Sequence, residues 1–490
     1  MFHDIHLGVT GLRRSGKTVF LTRLLYQLEQ LGSRNLDAFE NKGIRLFPGK
    51  FLKTKFAKPF PYQDHLHRLR SHPPDWPQPS VEECQCVIEF RYKASSYGPL
   101  KKGYRWLLGN HKDAGTIRLH IHDYPGEYLL DVPMLKLSYA DWSKATIEQM
   151  YGQLAGSAHD YEEATGSIVK KFEDSGSDAD IHGPLEQLRS QYRAYIESAG
   201  TAGLKALPPG MTFAAWDKQE QDGNIDSLLP FVPIPASVAR SGRLAAALAD
   251  QYSAYQKNRV KPFVSRLARS TRQLVLVDVL RVLRNGLDCY NDTRRCLVEI
   301  IGGYTYNNRL RQAGNLDWLP PRTGLPKLTH MVLNPGINRT VFVATKADHV
   351  LVSHRTNLEK LLEELVGKAG DEISGYSAKI PEFEHLSAIR ATGDTETMFK
   401  DRPTDCLFGI KKGESRVKKH NPGTVPAKWP EPKARDEWAM GDKRFEFPEF
   451  LPPTLPLRDG ATWPEMNLDR ILWSLLKDCF HVSKTKLASR

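Results

Sequence analysis

In the stretch GLRRSGKT, Gly11, Gly16, Lys17 and Thr18 meet the pattern G-x-x-x-x-G-K-[ST], whose chemistry is the binding of a nucleotide's phosphates. Glycines let the backbone fold tightly enough for successive amide N–H groups to point at one anion, and the following helix adds its dipole. Arg14, Ser15, Gly16, Lys17, Thr18 and Val19 are therefore the candidate phosphate-binding residues. Lys17 would set an ammonium against the β- and γ-phosphates, and the Thr18 hydroxyl would ligate Mg²⁺. Arg13 and Arg14 stand inside the loop; they are either solvated or supply a cation in cis to the reacting phosphate.

Such a loop needs a second metal contact, normally a carboxylate that ends a neighbouring strand. Asp123 in LHIHDYPGE stands at such an end, and Gly126 completes Asp-x-x-Gly. Asp123 would hold Mg²⁺ through water, and the Gly126 amide would sense a γ-phosphate. The same four residues also have the composition of a plain turn. In VFVATKADHV, Asp348 would accept hydrogen bonds from N1 and the 2-amino group of guanine, a donor pair that adenine does not offer. Lys346, preceded by Thr345, would lay its aliphatic stem over the base. Asp348 as the cap of a helix in HVLVSHRTNLEKLLEELV fits the same residues. In HLSAIRAT, the amides of Ala388 and Ile389 fall where one could meet the guanine oxygen. The four motifs in this order carry more weight than any one of them.

The elements that must position these residues are legible in outline. Ile5, Leu7 and Val9 alternate with polar neighbours as in a strand, and VFLTRLLYQLEQL has helical spacing. CQCVIEFRYK (84–93) and TIRLHIHD (116–123) read as two amphipathic strands forming an antiparallel pair. From Leu129 to Pro262 the texture is helical, with proline- and glycine-rich connectors. Strand signals return at RQLVLVDVL (272–280), TVFVATKAD (340–348) and, more weakly, HLSAIRAT (385–392). MNLDRILWSLLKDCF reads as a closing amphipathic helix. This is β–α alternation interrupted by helices. The expected fold is α/β, a P-loop NTPase with a mostly parallel six-stranded sheet of GTPase type and a mainly helical insertion. Residues 1–128 and 263–400 form the expected P-loop domain in two segments, with 129–262 as the insertion. Residues 401–490 form a loop-rich extension whose closing helix packs on the P-loop domain. No internal repeat is evident.

At 490 residues with 40% hydrophobic content, the chain can build real cores. Its apolar runs fall short of a membrane helix, and MFHDIHLGVTG lacks the pattern of a secretory signal. The six cysteines include no C-x-x-C pair, which argues against a zinc site or disulfide framework and for reduced thiols in a cytoplasm. A formal charge of +12 points to an acidic partner. Nucleotide, nucleic acid and anionic lipid all answer that description; guanine nucleotide with Mg²⁺ is the expected ligand, and nucleic acid is not expected. The densest basic stretch, Lys411 to Arg435, reads as an exposed loop, solvated or docking a protein or the inner face of a membrane.

The order of the four motifs resembles the GTPase branch of P-loop proteins. The words GLRRSGKT, DYPGEYLLDVP, LVLVDVL and ATKADHV resemble the bacterial YcjX-like family over nearly the whole chain. That resemblance implies a stress-associated bacterial cytosolic protein. Two departures from ordinary GTPases stand out. Thr345 replaces the usual Asn, and Glu127 sits where many have a water-orienting Gln. Moreover, no Thr between residues 30 and 80, Thr54 included, stands in a context that marks it as a γ-phosphate sensor. The expected function is slow GTP hydrolysis, with Lys17, Glu127 and Arg13 as catalytic candidates and Thr18 and Asp123 as metal contacts. The other readings are an ATPase, or a nucleotide-binding scaffold that docks a membrane or protein.

Overall fold

Strand β1, Phe2–Gly11, alternates so that Ile5, Leu7 and Val9 bury one face while His6 and Gly8 turn to the other. The computed structural model describes residues 1–12, 14–31, 36–54, 58–78, 82–94, 114–175, 180–201, 204, 207–214, 229–238, 242–312, 339–371, 381–399, 402–431, 438, 443–455 and 462–480. Beyond β1, the main sheet contains β2 (Ile44–Leu46), β3 (Lys50–Leu52), β4 (Cys84–Ala94), β5 (Ala114–Asp123), β6 (Arg272–Val277), β7 (Arg339–Ala344) and β8 (Glu382–His385). Its order is β2-β4-β5-β1-β6-β7-β8, with β3 also paired to β4. β5, β1, β6, β7 and β8 are parallel, and β4 runs antiparallel to β5. All six residues of β6 are buried, as expected for a parallel strand covered on both faces.

The alternation of β6 and β7 divides the core in two. Leu274, Leu276, Val341 and Val343 face α1 (Lys17–Glu29), α2 (Tyr62–Arg70) and the closing helix Leu468–Leu476. Val275, Val277, Phe342 and Ala344 face the other way. There they meet the helical stretch: α3 (Tyr139–Glu173), α4 (His182–Thr201), α5 (Arg243–Tyr255) and α6 (Lys261–Leu267). Beside it lie α7 (Val279–Gln312) and α8 (Arg355–Asp371). Trp142, Tyr192, Phe231 and Tyr252 of the helical stretch belong to the same apolar cluster as Val275 and Phe342. Its core is therefore continuous with the core under that face of the sheet.

Several expectations shift. Among the described residues the main sheet has eight strands where six were expected; β2 and β3, at three residues each, are too short to show a period. The last strand ends at His385, so Ser387 to Ala391 lie beyond it instead of inside a strand 385–392. The basic stretch is not all loop: Lys418–His420 is a strand in a second, antiparallel sheet with Thr392–Phe399 and Arg402–Gly409. Thr392–Phe399 and Arg402–Gly409 pair antiparallel, with Phe399 opposite Arg402.

The closing segment is part of the core. Trp463 is buried edge-on against Tyr26 of α1, at 5.4 Å between ring centroids. Ile471, Leu472, Leu475 and Leu476 are buried with it. Trp463→Ala should cost about 3–5 kcal/mol of unfolding free energy in urea denaturation; a loss below about 1 kcal/mol would show that the segment is merely apposed.

Candidate functional site

The carboxyl ends of parallel strands at a reversal of strand order are where α/β sheets bind ligands. Here β5 and β4 lie on one side of β1, and β6, β7 and β8 extend the sheet on the other. The loop after β1 sits at that reversal. Gly16 has φ 86°, a left-handed conformation that suits glycine, and it opens α1 directly. Arg14, at φ 64°, also takes the left-handed turn, and its side chain is exposed. Arg13 lies outside the described residues. Ser15, Lys17 and Thr18 are buried, and Val19 is half-buried. The Ser15 amide closes the turn onto the Leu12 carbonyl at 3.0 Å. Gly11 is pressed between Ser15 Oγ and the Leu276 carbonyl, leaving no room for a Cβ.

Lys17 Nζ donates to Asp123 Oδ1 at 2.5 Å, and both side chains are almost fully buried. Asp123 ends β5 in register with Val9, which sets the carboxylate beside the loop. Its other oxygen, Oδ2, and the hydroxyl Oγ of Ser15 are buried with no hydrogen-bond partner among the described residues. Buried polar atoms of that kind are costly unless something satisfies them. A phosphate accepts from a serine hydroxyl and a lysine, and Mg²⁺ takes carboxylate and hydroxyl oxygens, so the donor set fits both.

Past Asp123 the chain returns across the loop. A Cβ on Gly126 would stand 3.1 Å from the Gly11 carbonyl carbon and oxygen, so the absence of a side chain permits the approach. Gly126 opens a 3₁₀ element that runs to Lys136. Glu127 is fully buried, and its charge helps push the Cys296 thiol of α7 well above the usual thiol range, after burial itself and Asp292. It therefore lies on the α7 side. Four residues on, the Asp131 carboxylate accepts from the Gly210 and Met211 amides at 2.6 and 2.9 Å and from the Tyr255 hydroxyl at 2.7 Å. Burial outweighs these donors and raises Asp131 to about 6. Gly210 also packs so closely on the Glu127 carbonyl that a Cβ there would clash. The 3₁₀ element is thus clamped to the helical stretch.

The base-side motif lies at the end of β7. Thr345 continues toward β6 by donating its amide to the Val277 carbonyl at 3.0 Å. Its Cβ stands 4.0 Å from where a Cβ on Gly16 would be, so this motif adjoins the phosphate loop. Lys346 turns through φ 60° and donates to Asp278 Oδ2 at 2.6 Å. Although burial opposes ionisation of Asp278, the Lys346 charge and hydrogen bond hold it below the usual carboxylate range. Asp348 is buried and accepts from the Ala391 amide at 2.7 Å. It does not cap α8, which begins at Arg355. Ala347 donates to Leu386, bringing the segment containing Ala388 and Ile389 alongside; both are buried, and Ser387 donates from its hydroxyl to Ile389 at 3.0 Å.

The structure thus brings Ser15, Gly16, Lys17, Thr18, Asp123 and Gly126 together and sets Thr345, Lys346, Asp348, Ala388 and Ile389 beside them. Sequence reasoning passed over Asp278 and Asp131. The first carries the same signal as Asp123, an Asp closing an apolar strand in LVLVD. Nothing local marks Asp131, whose partners are 79 to 124 residues away.

The model of the YcjX-like family, DUF463, matches residues 5–480. The chain is 28% identical to a protein named Ras-like GTPase YcjX of Escherichia coli (strain K12), over 97% of this chain and 95% of that one. It is also 28% identical to the Shewanella oneidensis protein of the same name, over 97% of this chain and 94% of that one.

Two outcomes follow from the geometry. Lys17→Ala leaves the Asp123 charge buried without its partner and should cost about 3–5 kcal/mol in urea unfolding. Lys17→Met combined with Asp123→Asn should recover most of that loss, and equal losses in the single and double variants would refute the pairing. The second concerns pH. Asp131 titrates higher in the fold than its ordinary 3.8, so its contribution is full below about pH 4 and is lost as pH rises through about 6. The unfolding free energy of the parent minus that of Asp131→Asn should therefore fall from pH 4 to 7, by up to about 3 kcal/mol; a flat difference would contradict it.

Proposed function

This chain belongs to the YcjX-like family, and from that premise we propose that it binds GTP and GDP with Mg²⁺ and hydrolyses GTP slowly, as a switch. The observation that carries the reading is that the Lys17–Asp123 pair and the Thr345–Asp348 motif lie at the same edge of the sheet, with Thr345 Cβ 4.0 Å from where a Cβ on Gly16 would be. The relatives named Ras-like GTPase agree with it.

Thr18 and Asp123 would hold the Mg²⁺, which, when bound, neutralises charge on the β- and γ-phosphate oxygens. The loop amides and Lys17 bind and orient the phosphates, and a phosphate anion would draw the Lys17 ammonium from Asp123 as the cation engages that carboxylate. Asp348, steadied by the Ala391 amide, reads the base, with Ala388 and Ile389 contributing amides. Hydrolysis is slow for two reasons. Glu127 lies on the α7 side and must turn to orient a water, and its negative charge opposes the developing anion. Arg14 and, by its place in the sequence, Arg13 are the candidate cations in cis.

The switch follows from the clamp. Gly126 passes directly over Gly11, so a γ-phosphate hydrogen bond at Gly126 would pull on the 3₁₀ element. Asp131 carries that pull to Gly210, Met211 and Tyr255 of the helical stretch 129–262. Among the described residues, no helix is long and apolar enough to cross a membrane. We place the switch in the bacterial cytoplasm and in stress response on the family resemblance. Its basic surface or helical stretch meets a protein or the inner membrane face.

Calorimetric titration with Mg²⁺ separates the readings. GDP should bind more tightly than ADP, and Asp348→Asn should shift preference from guanosine toward xanthosine diphosphate, since one acceptor becomes a donor. Turnover of GTP without a partner should fall at about 10⁻⁴ to 10⁻² per second. Preference for ADP would establish an ATPase instead, and binding without turnover would leave a nucleotide-dependent scaffold.

A further inference from the structure

The densest basic stretch of the sequence folds against a later segment, and a cavity opens between them. The Lys412 amide donates to the Glu449 carbonyl at 2.8 Å, Gly423 to Glu446 at 2.8 Å and Thr424 to Arg444 at 2.9 Å. An isolated bridge joins Lys411 to Phe450. A Cβ on Gly423 would stand 2.7 Å from the Arg444 carbonyl oxygen, so its lack of a side chain lets the walls meet. The cavity they frame has a volume of about 460 Å³, and its lining includes Lys411, Lys419, His420, Asn421, Arg444 and Glu446. That is the size of a small-molecule site, but the polar lining does not suit an apolar occupant. Lys411, Lys419 and Arg444 set three positive charges against the one carboxylate of Glu446, which leaves two positive charges over. Neighbouring cations are differently placed: Lys412 faces Glu449 at 3.6 Å, and Lys418 faces Glu414 at 3.3 Å. Lys419 Nζ donates to the Glu396 carbonyl at 2.8 Å, and an ammonium has two more hydrogens to give. Among the described residues, neither Lys411 nor Lys419 has a carboxylate partner.

We propose that this cavity binds a small phosphomonoester, at a site distinct from the loop around Gly16. A phosphomonoester carries about −1.5 to −2 charge at pH 7, which matches the positive charge the walls leave over. Lys411 and Lys419 donate to its oxygens, in charge-assisted bonds roughly twice as strong as neutral ones. The cavity is larger than a bare phosphate needs, so the occupant has a polar body of about sugar size. Asn421, which both donates and accepts, suits the hydroxyls of such a body. The backbone bonds between the walls hold these groups in place before any ligand arrives, so little ordering is left for binding to do. A free sugar phosphate and the headgroup of phosphatidic acid present the same phosphate, and the test separates them.

The test uses the full chain and two probes. Glucose 6-phosphate is titrated calorimetrically at fixed ionic strength, with glucose as the blank. Phosphatidylcholine vesicles with and without phosphatidic acid are sedimented with the protein. Lys411→Gln/Lys419→Gln should weaken binding by about tenfold or more, and Lys411→Arg/Lys419→Arg should keep most of it. Lys17→Met/Asp123→Asn should leave it unchanged, which keeps this result independent of whether the loop binds nucleotide. Binding of glucose 6-phosphate assigns the site to a free phosphomonoester; Lys411- and Lys419-dependent binding of the phosphatidic acid vesicles alone assigns it to the lipid headgroup. Lys419 is exposed and Lys411 half-buried, so the variants should fold, with urea midpoints like the parent's. Three results would each overturn the assignment: neither probe bound, binding lost in Lys17→Met/Asp123→Asn but kept in Lys411→Gln/Lys419→Gln, or an equal loss in the distant surface control Lys144→Gln/Lys257→Gln.

Discussion

A lysine and an aspartate buried together, Lys17 and Asp123, organise the carboxyl end of the parallel strands. Removing either alone strands a charge in a low-dielectric setting, which costs far more than the pair contributes. Under the proposed function each partner would have another group of opposite charge to engage: an anion for the ammonium, a cation for the carboxylate. The unsatisfied Asp123 Oδ2 and Ser15 Oγ beside it describe the same incompleteness in hydrogen bonds. The loop's left-handed Gly16, the register of Val9 with Asp123 and the crowding at Gly11 all serve to hold that pair in place.

The same device recurs at the base side. Lys346 donates to Asp278 as Lys17 does to Asp123, and in both cases the acid closes a strand next to the one that delivers the lysine. β5 and β6 flank β1 on either side, so the two acids bracket the phosphate loop. Sheet topology explains this economy. In a parallel sheet all strands release their chain at the same edge, and a residue one step past the last buried position is forced to that edge. An Asp placed there needs no further instruction to reach the site.

That rule also explains what the sequence disclosed. Apolar runs such as RQLVLVD and VFVATKAD announce both a buried strand and the polar residue that must follow, so Asp123, Thr345 and Asp348 were legible. Asp278 obeys the rule equally and was overlooked only because no motif names it. The edge strands Ile44–Leu46 and Lys50–Leu52 had no such signal: three residues show no periodicity. The final strand was displaced because HLSAIRAT mixes an apolar start with a stretch that belongs to the loop. Asp131 lay beyond reach for a deeper reason. Its role is defined by Gly210, Met211 and Tyr255, contacts that tertiary folding creates and no local pattern encodes.

Those long-range contacts decide whether movement at the phosphates can be felt elsewhere. Gly126 lies over the loop backbone, and the rigid 3₁₀ turn it opens is hydrogen-bonded at Asp131 to three groups of the helical stretch. A rigid element with a sensitive end and a clamped end acts as a lever, whereas a loose loop would absorb the displacement locally. The helical stretch shares its apolar core with Val275 and Phe342 of the sheet, so it cannot swing as a separate body. Close-packed interiors shift between discrete arrangements rather than deform continuously. Any nucleotide-dependent change is therefore expected to be a repacking at the interface of the 3₁₀ element with Gly210 and Tyr255. Glu127 lies on that same interface, its carbonyl packed against Gly210.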